Sequence, residues 1–109
     1  MKQVRVLVID PFKRRIYEKH IGQDRVNEMQ EIVGGYIEAA SRLDNDDILF
    51  VDEDGLRKDN QKFFSFKEAI DQPLAGVGFL GGVDREGNAQ DCKMDELDLA
   101  TKIEWLEMK

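Results

Sequence analysis

The sequence predicts an α+β fold, a mostly antiparallel sheet of about five to six strands with two helices on one side. Short runs of apolar, β-branched residues between turn residues indicate the strands. Two segments with apolar residues spaced three and four apart indicate the helices. A chain of 109 residues has room for one hydrophobic core, so residues 1–109 are expected to form a single domain. The predicted order of elements is β-β-α-β-β-β-β-α.

The first two predicted strands form a hairpin at the start of the chain. Residues 4–9 (VRVLVI) are nearly all apolar, which is typical of a central strand buried on both faces. Asp10-Pro11 ends this strand, because proline cannot donate to a sheet ladder. Residues 14–21 alternate loosely and predict a partly exposed second strand paired to the first. Its lysine and arginine content suits the edge of a sheet.

A helix and a third strand follow. Asp24 is the predicted N-cap of a helix over residues 25–33, whose apolar residues fall on one face. Gly34-Gly35 then supplies the left-handed stop that helix ends favour. Residues 36–40 are expected to leave that stop directly as a strand, with Tyr36 and Glu38 on one face.

The second half of the chain predicts three more extended segments and a closing helix. Residues 48–51 form a short strand between acidic turns, and residues 63–66 form another. Residues 67–70 are expected to form one helical turn. Residues 74–83 are extended and rich in glycine, and residues 94–107 predict the second helix.

Composition narrows the class of protein. Hydrophobic residues make up 41% of the chain and charged residues 36%, which is typical of a globular protein with a heavily solvated surface. The single cysteine, Cys92, excludes an intramolecular disulfide. No apolar run approaches the roughly 20 residues that span a bilayer, and Met1-Lys2 leads straight into a strand. We therefore expect a soluble, cytoplasmic protein with no membrane partner.

The charge is unevenly distributed. The net charge is -7, which argues against non-specific affinity for nucleic acid. Residues 2–26 nevertheless carry a net charge of +4, and the rest of the chain carries -11. The basic residues of this region are Lys2, Arg5, Lys13, Arg14, Arg15, Lys19 and Arg25. They indicate either two solvated faces of opposite sign or a partner with its own polarity.

The N-terminal hairpin also interleaves aromatic with basic side chains: Phe12, Arg14, Arg15, Tyr17, Lys19 and His20. A stacking and phosphate-binding surface would use such residues, and Arg14, Arg15 and Lys19 are the candidate basic surface. The simpler interpretation is an edge strand whose aromatic residues cover the core while its basic residues are solvated. The acidic remainder of the chain favours that interpretation, so direct nucleic-acid binding is not expected.

Two further motifs resemble ligand sites without the context that such sites require. The string from Gly76 to Gly81 matches G-x-G-x-x-G, but no helix is predicted directly after it, so no dinucleotide cofactor is expected. Glycine in a strand more often marks a bulge or a close approach by another element. The segment Asp44 to Asp54 holds six carboxylates but lacks the ligand spacing of a calcium loop, so no metal site is predicted. The carboxylates are Asp44, Asp46, Asp47, Asp52, Glu53 and Asp54.

A catalytic set is not evident either. The chain has one histidine, His20, and one cysteine, Cys92, with no local signature that pairs them. A buried structural thiol is the commoner role of a lone cysteine. The sequence therefore favours a protein that is not an enzyme.

The segment from Gln30 to Glu38 is the most distinctive part of the chain, and its core is Val33-Gly34-Gly35-Tyr36-Ile37-Glu38. It resembles the signature of a family of small domains of unknown function found in phages, plasmids and other mobile elements of bacteria and archaea. The resemblance implies two strands, a helix that ends in this signature, and a genomic setting, but no activity. Asn60 and residues 76–82 are similar to later features of that family, although the spacing differs.

Within the signature, Tyr36 and Glu38 are the residues that packing does not require. Gly34 and Gly35 are needed for the turn, and Ile37 is expected to face the core. Tyr36, Glu38 and Asn60 are therefore the candidate binding residues.

Three functional hypotheses follow. The first is a non-enzymatic accessory protein of a phage or mobile element that binds a host or viral macromolecule, with a protein as the expected partner, for example as an inhibitor of defence. The alternative is a small-molecule or nucleotide-binding domain in which Tyr36 stacks and the glycine-rich segment lines a cleft. The least favoured is a metal-assisted hydrolase that uses the acidic segment. A homodimer is also expected, because pairing between copies would cover the sheet edges.

Overall fold

The computed structural model describes residues 3–22, 25–59 and 61–107. The first half of the chain forms β1 (Val4–Asp10), β2 (Arg15–Ile21), α1 (Arg25–Val33), β3 (Ile37–Arg42) and β4 (Ile48–Asp52). A short 3-10 turn (Gly55–Arg57) leads to β5 (Phe63–Phe66), β6 (Ile70–Ala75) and β7 (Gly78–Val83). The chain continues through β8 (Ala89–Gln90), α2 (Glu96–Lys102) and β9 (Glu104–Leu106).

The strands form two antiparallel sheets. The larger sheet has the order β2-β1-β7-β4-β3, and β8 pairs with β7 beside this path. The smaller sheet has the order β6-β5-β9. All the pairings between described strands are antiparallel. The predicted α+β class with a mostly antiparallel sheet is therefore confirmed.

Strand β1 lies between β2 and β7 and is buried on both faces, as its sequence predicts. Val4, Val6 and Val8 pack on one side of the sheet, and Leu7 and Ile9 pack on the other. The next strand, β2, pairs with β1 along its whole length and forms an edge of the larger sheet. The predicted hairpin is therefore confirmed.

Each face of the larger sheet has its own core. On one face, Leu49 and Leu80 pack with Phe64 and Phe66 of the smaller sheet and with Leu99 of α2. On the other face, Phe79 packs against α1. The helices therefore lie on opposite faces, and the expectation that both lie on one side is wrong. The physical reason is that a sheet with a doubly buried central strand needs cover on both faces.

Three predicted boundaries in the second half are also wrong. Residues 74–83 do not form one extended segment: the chain turns at Gly76, whose φ is +80°, and β6 and β7 join different sheets. Residues 67–69 form a turn closed by a hydrogen bond from Ala69 N to Phe66 O (3.0 Å), and Ile70 already belongs to β6. The closing helix is shorter than predicted and ends at Lys102.

The end of the chain shows why the second helix is short. Asp95 caps α2 by accepting a hydrogen bond from Leu97 N (3.1 Å). After α2, the chain becomes extended so that Trp105 lies opposite Phe64 in the β5–β9 pairing. This long-range pairing outweighs the local helical periodicity. The predicted N-cap of α1, Asp24, lies outside the described residues. Among the described residues, no helix is both long enough and apolar enough to cross a membrane.

Candidate functional site

The turn after α1 is fixed first by backbone conformation. Gly34 has a φ of +81°, a value that side-chain-bearing residues rarely adopt. The N–H groups of Gly34 and Gly35 both donate to Gln30 O, at 2.8 and 3.2 Å, and so close the last turn of the helix. A Cβ atom on Gly34 would contact nothing within 4 Å, so conformation alone requires glycine here. The predicted left-handed stop is confirmed.

Gly35 is required for a different reason, because a buried carboxylate lies against it. A Cβ atom at this position would lie 2.7 Å from Asp52 Oδ1. The Asp52 side chain is only 3% exposed, and its Oδ1 accepts a hydrogen bond from Asp54 N at 3.0 Å. Its Oδ2 forms an ion pair with the ammonium of Lys58, which also donates to Gly34 O at 2.9 Å. The contacts of Asp52 and Lys58 therefore hold the turn against the end of β4.

Sequence reasoning missed Asp52 and Lys58. Neither belongs to the signature, and in the sequence Asp52 is only one of six acidic residues in its segment. The β3–β4 pairing puts Asp52 directly opposite Ile37, two residues beyond Gly35. No spacing rule within one chain reveals such a contact, because it depends on the register between two strands.

The backbone of Tyr36 is held by a hydrogen bond, whereas its side chain is exposed to solvent. Tyr36 O accepts a hydrogen bond from Glu53 N at 2.9 Å, yet the residue is 67% exposed. Glu38 is also exposed and lies opposite Val51. Ile37 is half-buried in the core beneath α1, as predicted. The third candidate, Asn60, lies outside the described residues.

A small cleft adjoins this turn between β3, β4 and β6. Its volume is about 140 Å³, and three acidic residues, Glu38, Asp52 and Glu53, line it. Leu56, which is 76% exposed, also lines it. We call this feature the acidic cleft. It brings the candidate residue Glu38 together with Asp52, Glu53 and Leu56, which the sequence does not predict as binding residues.

The three residues of the predicted basic surface fall into different surroundings. Arg14 lies in the loop of the β1–β2 hairpin and pairs with Glu107 at 3.0 Å. The guanidinium of Arg15 lies over the ring of Tyr17, 4.4 Å from its centroid. Lys19 lines a separate depression with Tyr17 and two glutamates of α1. Arg15 and Lys19 therefore flank Tyr17 on β2, whereas Arg14 belongs to the hairpin tip.

The acidic segment contains a second buried carboxylate. Asp47 is fully buried and accepts hydrogen bonds from Lys93 N and Met94 N, both at 3.0 Å. It also accepts from Asn45 Nδ2 at 3.1 Å. These contacts make Asp47 a structural acceptor for the segment before α2. Among the described residues, no group of histidine, cysteine or acidic side chains has the arrangement of a metal site.

Cys92 is buried beside Asp47 rather than exposed as a nucleophile. Its Sγ lies 3.3 Å from Asp47 Oδ2. Burial, together with the neighbouring Asp47 carboxylate, raises the pKa of the Cys92 thiol from 9.0 to about 12. The thiol is therefore protonated at neutral pH and a poor nucleophile. His20 lies exposed on β2, with its Nε2 3.3 Å from Glu18 Oε2.

The glycine string is part of the sheet. Gly76 forms the turn before β7, and Gly78, Gly81 and Gly82 lie within that strand. A Cβ atom on Gly78 would lie 3.0 Å from Phe50 O, and one on Gly82 would lie 2.4 Å from Asp91 O. Of the two alternatives predicted for these glycines, a bulge or a close approach, the structure shows a close approach at Gly78 and Gly82. The string therefore serves packing, since it leads into a strand and not into the helix that a dinucleotide site requires.

Comparison with known families gives one finding. The family model of the DUF3846 domain, a domain of unknown function, matches residues 1–103 of the chain. No curated protein and no solved structure matches this chain significantly.

Proposed function

We propose that this chain, which belongs to the DUF3846 family of domains of unknown function, is a non-enzymatic binding protein that docks on a protein partner. The docking surface consists of Tyr36 and the acidic cleft beside it. The observation that carries the proposal is the contrast within Tyr36 itself. Its backbone is held by Glu53, while its side chain remains 67% exposed.

The backbone of the turn that presents Tyr36 is constrained in three ways. A positive φ at Gly34, the contact of Gly35 with Asp52, and the Lys58 hydrogen bond to Gly34 O all fix the backbone. A rigid backbone lowers the entropy lost when the surface binds. Tyrosine is enriched among the residues that dominate binding energy at interfaces, because its ring is large and carries a polar end.

The acidic cleft indicates the chemistry of the partner. Its volume of about 140 Å³ is below the roughly 300 Å³ at which small-molecule pockets begin. A cleft of this size suits one inserted side chain. The exposed carboxylates of Glu38 and Glu53 favour a lysine or arginine there, since the Asp52 carboxylate is already paired with Lys58. The net charge of -7 also attracts a basic surface at long range. We therefore expect a partner that presents a basic side chain beside an apolar contact for Tyr36.

The biological setting is part of the same proposal. The resemblance of residues 33–38 to a signature from phages, plasmids and other mobile elements supports an accessory role in such an element. In that setting, the partner is a protein of the host or of the element itself, and a host defence factor is one such target.

Site-specific photocrosslinking tests the proposal. A photoreactive phenylalanine analogue is placed at Tyr36 and, as the control, at Leu97, an exposed apolar residue of α2 (76% exposed). We expect a discrete protein adduct from position 36 in the native host cell and none from position 97. Equal adducts from both positions, or an adduct with nucleic acid, would contradict the proposal. A position-36 adduct with the mass of two chains would replace the separate partner with a homodimer.

A further inference from the structure

A second, larger cleft lies at the tip of the β1–β2 hairpin. It has a volume of about 390 Å³ and lies between the hairpin loop and residues 61–63 and 106–107. Its charged and aromatic lining residues are Lys13, Arg14, Lys62, Glu107, Phe12 and Phe63. We call it the basic cleft, because three basic residues and one acidic residue line it. The residues that line the acidic cleft form a different set.

Both walls of the basic cleft are held in place by hydrogen bonds. Asp10 Oδ1 accepts from Phe12 N at 2.9 Å and from Lys13 N at 3.3 Å, which fixes the loop. On the other wall, Lys62 O accepts a hydrogen bond from Gly76 N at 2.8 Å. The cations are therefore carried on an ordered backbone.

Arg14 has an unusual backbone conformation for this position. Its φ is +52°, in the left-handed region that costs a residue with a side chain about 1 kcal/mol or more. Strained positions of this kind cluster at ligand sites, where surrounding contacts maintain them. Here the conformation sets the direction of a guanidinium on the wall of the basic cleft.

The lining chemistry specifies a ligand with two parts. Lysine and arginine side chains are the usual partners of phosphate oxygens. Phe12, which is 50% exposed, offers a face on which a planar ring can stack. The volume of about 390 Å³ lies within the range of roughly 300–1,000 Å³ of small-molecule sites. We propose that the basic cleft binds a nucleoside phosphate, with its phosphate on Lys13, Arg14 and Lys62 and its base on Phe12.

Charge separates a free nucleotide from a nucleic acid as the source of this chemistry. Electrostatic interactions in physiological salt extend about 8 Å, so a small ligand senses mainly the local cations. A long polyanion also meets the acidic remainder of a chain whose net charge is -7. The local cations therefore favour a mononucleotide over a strand. This inference is independent of the proposed protein partner, and either one can fail alone.

The Arg14–Glu107 pair gives the site a distinctive signature. Both side chains are largely exposed, at 54% and 83%, so their ion pair contributes little to stability. A bound phosphate competes with Glu107 for Arg14. Removing the Glu107 charge must therefore strengthen phosphate binding, whereas removing a cation must weaken it.

The test is a titration of the isotope-labelled full chain, followed by nuclear magnetic resonance, with adenosine monophosphate, inorganic phosphate and a short single-stranded DNA. We expect saturable shifts at residues 11–14 and 61–63 with the mononucleotide. Lys62→Gln should weaken that affinity about tenfold. The matched control Arg57→Gln, which removes an exposed cation on the 3-10 turn, should leave it unchanged.

Two further variants separate the parts of the ligand. Phe12→Ala should weaken the mononucleotide about fivefold or more and leave inorganic phosphate unaffected. Glu107→Gln should strengthen binding of both, and this gain cannot result from misfolding. The absence of saturable shifts at millimolar nucleotide, equal losses from Lys62→Gln and Arg57→Gln, or no gain from Glu107→Gln would each overturn the inference. Tighter binding of the DNA than of the mononucleotide would also overturn it, in favour of a nucleic-acid site.

Discussion

Two buried aspartates lie at the two ends of strand β4 and have different structural roles. Asp47, just before the strand, accepts hydrogen bonds from the backbone N–H groups of Lys93 and Met94. Asp52, the last residue of the strand, packs against Gly35 and pairs with Lys58. Asp47 connects β4 to the segment before α2, and Asp52 fixes the turn that presents Tyr36. An acidic segment that resembles a metal loop therefore contains two buried structural carboxylates with separate roles.

The largest effect is expected at Asp47. Asp47→Asn removes the charge that its N–H donors share and leaves at least one of them without an acceptor. Buried unsatisfied groups of this kind cost about 3 kcal/mol in the free energy of unfolding. Urea denaturation measures the loss, with Asp44→Asn, an exposed carboxylate of the same segment, as the control. A loss below about 1 kcal/mol would show that Asp47 is not an anchor.

The next effect is expected at Gly35, on the Asp52 side. Gly35→Ala places a Cβ atom 2.7 Å from Asp52 Oδ1, a clash that forces the carboxylate to move. Overpacking of this kind costs about 2 kcal/mol. Gly34→Ala, where conformation alone is unfavourable, should cost about 1 kcal/mol. Urea denaturation compares the two variants.

A double variant identifies the source of the Gly35 effect. If the clash with Asp52 is responsible, Gly35→Ala should cost less when Asp52→Ala is already present. Strict additivity of the two changes would contradict the contact as its cause.

A pH-dependent effect is expected on the Asp47 side. Burial, aided by Asp47, raises the pKa of Cys92 from 9.0 to about 12 in the folded chain. The folded state therefore keeps the thiol proton at a pH where the unfolded state has lost it. This contribution is fully present below pH 9 and declines as the pH rises towards 12, by at most about 1.4 kcal/mol per pH unit.

Comparison with Cys92→Ala isolates that contribution from the other groups that titrate in alkaline solution. The difference in unfolding free energy between the wild type and Cys92→Ala should shrink between pH 9 and 11. A constant difference over that interval would contradict the raised pKa.

Sequence patterns predict those parts of the fold that depend on residues close together in the chain. The run of apolar residues in β1 and the glycine stop after α1 both express constraints carried by neighbouring residues. The split at Gly76 and the strand β9 depend on which distant strand each segment joins, so periodicity could not reveal them. The same limit explains the site. The signature predicts Tyr36 and Glu38, whereas the β3–β4 register brings Asp52 to the turn, and Lys58 joins it through an ion pair with Asp52.

The smallest effect on stability is expected at Tyr36, and it separates presentation from architecture. Because the side chain is 67% exposed, Tyr36→Ala should change the unfolding free energy by less than about 0.5 kcal/mol. Its effect on binding should be large, since truncating a central interface tyrosine costs about 2 kcal/mol or more.

The most direct test of the docking surface combines these two readouts in one chain. A photoreactive group at Leu56, which is 76% exposed on the lining of the acidic cleft, reports partner binding, and urea denaturation reports stability. We predict that Tyr36→Ala reduces the partner adduct about tenfold or more at unchanged stability, while Leu97→Ala changes neither. An adduct that survives Tyr36→Ala, or one that falls only together with stability, would contradict the account.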